Sequence, residues 1–100
     1  MIARIWRGAV PHEKAEEYLG YMMATGVKGY RAVAGNRGAY VLRRDAEDRA
    51  EFLLLTFWDS MEAVRRYAGP DAERAVYYPR DQEFLFELEP KVRHYEVVEG

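Results

Sequence analysis

EFLLLTFWDSMEAVRRYAG, residues Glu51–Gly69, is the stretch whose reading decides the fold. Phe52–Trp58 is an apolar, aromatic-rich run too short to make a helix of its own, so it reads as a strand. The chain then turns at Asp59-Ser60 and enters a helix. Asp59 as N-cap with Glu62 three residues on has the form of a capping box, and Met61, Val64 and Ala68 mark one helical stripe. Gly69-Pro70 stops that helix, because glycine takes the left-handed cap and proline cannot continue the ladder. Along the strand, Phe52, Leu54, Thr56 and Trp58 point one way while Leu53, Leu55 and Phe57 point the other. Both faces of its sheet are therefore apolar, and both need cover.

The rest of the chain fits around this joint. Met1–Arg7 reads as a strand closed by Gly8. A helix follows, with Pro11 in its first turn, Glu13, Glu16 and Glu17 near its positive end, and Ala15, Tyr18, Leu19 and Met22 on one face. Gly26 is expected to end it. Gly29–Ala34 alternates as a strand, Gly35-Asn36-Arg37-Gly38 has turn composition, and Ala39–Arg44 returns as its hairpin partner. After the Asp59–Ala68 helix, Asp71–Val76 reads as a further helical turn capped by Asp71. Tyr77–Asp81 forms a bend, Gln82–Glu89 a loose segment, and Lys91–Val98 the final strand. The order predicts an α+β, ferredoxin-like βαββαβ domain over residues 1–100, with an extra hairpin strand and an antiparallel sheet. Two helices cover only one sheet face. A second copy of the chain through a two-fold axis is the simplest cover for the other, so a homodimer through the open sheet face is expected.

Composition narrows the function classes. A net charge of −2 with acids and bases interspersed gives no basic field for nucleic acid or an anionic membrane. The absence of cysteine excludes disulfides, thiol nucleophiles and thiolate metal sites. No apolar run is long enough to cross a bilayer, and the N-terminus lacks a signal-peptide pattern, so a cytoplasmic location is expected. There is no Gly-rich phosphate loop, no nucleophile elbow and no HExxH-type spacing, and no metal site is expected.

The segment Leu55–Tyr67, LTFWDSMEAVRRY, resembles the strand-to-helix joint of the antibiotic biosynthesis monooxygenase-like domains, within the dimeric α+β barrel superfamily. The resemblance implies a homodimer whose sheets form a barrel, with a pocket in each subunit between helices and sheet. Members include cofactor-free oxygenases of polycyclic quinol-type substrates, haem-degrading enzymes and small-aldehyde or lactone enzymes. In the haem-degrading branch a histidine ligand follows the second helix, a tryptophan lies one helix earlier and an asparagine sits in the first strand. Counted from Trp58, the ligand position falls on Tyr77 and the tryptophan position on Tyr67, and Met1–Arg7 has no asparagine. All three depart together, and no cofactor is expected.

His94 lies mid-strand in phase with Val92, Glu96 and Val98, and its near-neutral intrinsic pKa suits a general base toward a phenol or enol. A histidine bonded within the sheet, or one in a dimer seam, is the competing account. Tyr77, Tyr78 and Asp81 stand on an irregular stretch where a lid is expected, and two phenols with a carboxylate could relay a proton. Against that, one tyrosine could be core and Asp81 a turn cap. Trp6, Trp58 and Tyr67 are candidates for an aromatic wall, and Arg43, like Arg4 and Arg44, could anchor an acidic group. The expected function is a cofactor-independent monooxygenase, or a related small enzyme, acting on an aromatic or polyketide-type small molecule. The alternative is a non-catalytic small-ligand-binding homodimer, and a haem-binding relative using Tyr77 ranks third.

Overall fold

The computed structural model describes residues 1–100 and places four strands in one antiparallel sheet, in the order β2-β3-β1-β4. The strands are β1 (Ile2–Pro11), β2 (Asn36–Asp45), β3 (Arg49–Trp58) and β4 (Arg93–Glu96). The helices are α1 (Ala15–Met22), α2 (Lys28–Arg31), α3 (Met61–Ala68) and the single turn α4 (Asp81–Phe84). This is the ferredoxin-like α+β arrangement. The decisive run behaves as its alternation requires: Phe52, Leu54, Thr56 and Trp58 are buried, whereas Leu53 is exposed and Leu55 and Phe57 are half-buried.

The expected extra strand does not exist. The first helix runs on instead, through a π-helical segment at Met23–Val27 and into α2, which takes in Gly29–Arg31, and Ala32–Ala34 turn toward β2. Gly26 therefore does not end that helix. The reason is burial: Ala15, Tyr18, Met22, Gly26, Val27 and Tyr30 form one buried stripe down the whole helical run. That stripe outweighs the weak alternation of GYRAVA, because helical stability in a fold comes mainly from the packed face. The hairpin is instead β2 with β3, turned at Ala46–Asp48 and closed by Ala46 N–H donating to the Arg49 carbonyl at 2.9 Å. Gly35 and Gly38 take positive φ (95° and 155°) at the start of β2, where the register slips by a bulge.

Smaller differences have local causes. β1 runs on past Gly8 to Pro11, because β3 pairs with it along its full length from Ile2↔Trp58 to Pro11↔Arg49. Ser60, not Asp59, caps α3: its backbone is extended and its Oγ accepts from Ala63 N–H at 3.2 Å, while Asp59 is drawn off by Arg37. Asp71–Val76 is not helical, since Arg74 bridges to Lys91 and the Ala75 N–H goes to Pro90. Residues Gln82–Phe84 belong to α4.

The register sorts the side chains cleanly. Ile2, Arg4, Trp6 and Val10 share the helix-facing side with Trp58, Thr56, Leu54 and Ala50 of β3 and with His94 of β4. Ala3, Ile5, Leu53, Leu55, Phe57, Tyr40, Leu42 and Tyr95 share the other side, which no element covers. No helix is long and apolar enough to cross a membrane.

Candidate functional site

The helix-facing side of the sheet carries polar groups where apolar ones would be expected. Arg4 stands directly across from His94 at the β1–β4 pairing. The guanidinium is 1% exposed, lies 5.6 Å over the Tyr67 ring, and makes its one hydrogen bond to the Arg74 carbonyl at 3.2 Å. Its Nε has no partner. His94 Nε2 is also buried and unpartnered. Burial pushes the His94 pKa down, the Arg4 charge pushes it further, and Glu73 only partly offsets them, so the imidazole is neutral at pH 7. Two positions along β1, the Trp6 indole nitrogen is the third buried group without a partner.

Aromatic rings surround these groups. Trp6 meets Tyr77 edge-on at 6.3 Å. Its indole runs back over Gly8, where a Cβ would come within 2.6 Å of the ring. Tyr67 contacts Tyr30 at 4.5 Å and Trp58 at 6.0 Å between centroids. Trp58 is fully buried, and its indole N–H donates to Thr56 Oγ1 at 2.9 Å. The Tyr67 and Tyr78 hydroxyls are 3.0 Å apart. Gly29 makes that possible, since a Cβ there would sit 2.7 Å from the Tyr78 hydroxyl. Burial raises the pKa of the Tyr67, Tyr30 and Tyr77 phenols, so all three stay protonated.

Asp81 fixes the irregular segment that roofs the site. It is 5% exposed, accepts from the Tyr18 hydroxyl at 2.9 Å, and accepts from the Tyr78 backbone N–H at 2.6 Å. It is an anchor between α1 and the roof. Replacing Asp81 with alanine leaves a buried phenol and a backbone N–H without acceptors, and is expected to cost about 3 kcal/mol by urea unfolding. Tyr18→Phe removes only one of those bonds and is expected to cost about 1 kcal/mol in the same measurement.

The structure thus gathers Trp6, Trp58, Tyr67, Tyr77 and Tyr78 on the same side of the sheet as His94, with Asp81 holding the roof. It does not bring Arg43 there. Arg43 pairs with Glu16 at 2.6 Å and Asp45 at 2.9 Å, over the Phe52 ring, at the β2 edge. Arg43 lines a separate hollow of about 620 Å³ with Arg7, Arg44, Arg49 and Phe86, which holds none of the aromatic cluster. The cavity between helices and sheet is only about 20 Å³, lined by Trp6, Gly26, Tyr30, Tyr78 and Asp81 among others, and has room for about one water. Any larger ligand must displace the Tyr77–Tyr78 roof. Sequence reasoning passed over Tyr30, Tyr18 and Gly29, and ranked Arg4 no higher than other strand arginines. The available signal was phase: Arg4 alternates with Ile2 and Trp6 on a face that must be buried.

Haem does not suit these residues. The Tyr77 hydroxyl, at the position of the haem ligand in the degrading enzymes, already donates to the Glu89 carbonyl, and burial holds it protonated. Its ring is packed on Trp6.

An antiparallel ferredoxin-like sheet with an aromatic, histidine-bearing site beneath its helices defines a class of small α+β domains. Residues 1–76 match the family model for antibiotic biosynthesis monooxygenase, and the chain belongs to that family. Among solved structures it is similar to a Bacillus cereus protein provisionally assigned as an antibiotic biosynthesis monooxygenase (TM-score 0.68, 11% identity, 99% of this chain and 96% of that one). It is also similar to Rv0793 of Mycobacterium tuberculosis (TM-score 0.68, 18% identity, 99% and 96%). A third is the Mycobacterium tuberculosis haem degrader MhuD, solved with two haems in its active site (TM-score 0.62, 18% identity, 100% and 98%). At these identities the likeness concerns the fold. No curated protein matches the chain.

Proposed function

We propose that this chain is a homodimeric, cofactor-independent oxygenase of a small aromatic molecule, with His94 as its general base. The observation that carries the reading is the state of His94. It faces the helices, burial and the Arg4 charge lower its pKa and so favour the neutral imidazole, and its Nε2 has no hydrogen-bond partner. In this reading the imidazole takes the acidic proton of a phenol or enol, and the electron-rich anion reacts directly with dioxygen. A ring CH₂ becomes C=O, with dioxygen as the oxidant and water as the second product. Tyr67 and Tyr78 supply hydroxyls beside the substrate, and Trp6 and Trp58 its aromatic walls. The test is oxygen uptake by the purified protein with anthrone-type and quinol substrates. Uptake above the uncatalysed rate supports the reading, and none across the series counts against it.

The packed interior favours a second reading, a non-catalytic dimer that holds a ligand without converting it. Ligand binding without oxygen uptake selects that reading.

The dimer rests on the open sheet face. Tyr40 (57% exposed), Leu42 (45%) and Tyr95 (51%) stand with Leu53, Leu55 and Phe57 on one uncovered surface. A contiguous apolar surface of this kind marks an interface. Sedimentation is expected to give twice the 11.7 kDa chain mass. The double substitution Leu53→Glu with Phe57→Glu buries like charges opposite each other across the two-fold axis and is expected to shift the protein to monomer. A wild-type monomer at micromolar concentration overturns the dimer.

A further inference from the structure

We infer that the Arg4–His94 end of the site is an oxyanion-holding subsite, and that the ligand taken there is a planar organic anion, a carboxylate or an enolate. This deepens the reading above and rests on it.

Arg4 places a guanidinium inside the protein. A guanidinium keeps its proton under all ordinary conditions. This one is 1% exposed, its hydrogen bond goes to a neutral carbonyl, and its Nε has no acceptor. Buried charges in proteins are paired, and breaking such a pair strongly destabilises the partner left behind. Every other arginine engaged in an ion pair here, such as Arg7, Arg43 or Arg80, is far more exposed than Arg4 and meets a carboxylate. The acid whose charge reaches His94, Glu73, is an exposed side chain.

The donors beside Arg4 are also waiting. Trp6 Nε1 can only donate, and it has no acceptor. It lies on the same face of the same strand, two residues away, while His94 Nε2 lies across the β1–β4 pairing. Two donors, Arg4 Nε and Trp6 Nε1, thus border one stretch of sheet with His94 Nε2, which becomes a third donor once it has taken the ligand's proton. The walls make the site selective for a flat group, because Tyr67 stacks on the guanidinium and Tyr77 meets the Trp6 ring. The Arg74 carbonyl, held in place by the Arg74–Lys91 bridge, takes one guanidinium N–H and leaves the Nε–H for a ligand oxyanion.

The experiment compares benzoate with benzamide, and follows 4-nitrophenol, whose absorbance reports its ionisation. Benzoate is expected to bind the wild-type dimer at least about tenfold more tightly than benzamide, because a charge-assisted hydrogen bond is worth that much. Bound 4-nitrophenol is expected to ionise about one pH unit or more below the free phenol, the effect of a cation at contact. Arg4→Met is expected to remove both effects, and Arg4→Lys to keep the ionisation shift while losing part of the benzoate preference. If Arg4→Met does not fold, Trp6→Phe, expected to weaken benzoate about threefold to tenfold, decides with the wild-type comparison. Equal binding of benzoate and benzamide, or 4-nitrophenol held as the neutral phenol, overturns the anion subsite. If a neutral anthrone still binds in that case, the ligand-site reading survives. If none of these probes binds, both fall together.

Discussion

Trp58→Ala is expected to lower the unfolding free energy by about 3–5 kcal/mol. Trp58 is the largest fully buried side chain, 0% exposed, at the point where β3 passes into α3. It touches Tyr30 from α2 and Tyr67 from α3, and its N–H is satisfied by Thr56 on its own strand. Truncation removes the indole from two helix contacts at once and leaves the Thr56 hydroxyl with only the Arg4 carbonyl. The loss is a large fraction of the roughly 5–15 kcal/mol that holds a domain of this size together. Trp58→Phe keeps most of the ring contacts and is expected to cost about half as much. Urea unfolding at one fixed protein concentration is the measurement, since a dimer's stability depends on concentration. A loss under 1 kcal/mol for the alanine variant would show that the core is not organised around this residue.

His94→Ala is expected to lower turnover about 10²–10⁴-fold, the usual contribution of a positioned general base, while ligand affinity changes by less than about threefold. Loss of affinity with unchanged turnover would reverse the assignment. The pH profile gives an independent check. His94 titrates below its ordinary value of 6.5 in the folded protein, through burial first and the Arg4 charge second. The base is therefore available, and the rate flat, through neutral pH. Activity falls only as the medium becomes more acidic than 6.5 and approaches the folded pKa. Stability follows the same direction. Below 6.5 the unfolded chain binds a proton that the folded chain resists, so stability is full above that value and declines as pH falls. His94→Gln is expected to remove that acid slope. A folded-state midpoint above 6.5, read from the His94 ring by NMR, would sink the neutral-base reading.

Much of this arrangement was legible in the residues. The alternation of Phe52–Trp58 gave the strand and both of its faces, and Asp59, Glu62, Gly69 and Pro70 gave the helix that follows, although the cap is Ser60 and not Asp59. Whether His94 faces the helices or a dimer seam was not legible, because strand residues of both faces are apolar here; the pairing with β1 puts it on the helix side, in phase with Arg4 and Trp6. The failures share a cause. Gly26 was read as the end of the helix and Gly29 as the start of a strand, yet both lie beneath Tyr78, and at Gly29 a Cβ would sit 2.7 Å from the Tyr78 hydroxyl. That contact joins residues about 50 positions apart and has no local signature. Arg43 lies apart from the aromatic cluster for a similar reason, since its partner Glu16 comes from a different element. Arg4 was the costlier oversight: arginine on a strand usually covers an edge, and only the pairing with β4 shows that this one is enclosed.

That pairing has a consequence for how the protein assembles. β4 meets β1 over four residue pairs, Ile2↔Glu96 to Ile5↔Arg93, between opposite ends of the sequence. Closing so large a loop is entropically unfavourable until intervening elements have condensed, so this ladder forms among the last. It is also among the first to open, because a short edge strand with exposed side chains has few contacts to hold it. Arg4 and His94 meet only across this ladder. A chain still folding, or one fraying at β4, keeps its hydrophobic core but parts His94 from Arg4, and amide exchange along Arg93–Glu96 reports how often a mature molecule does so.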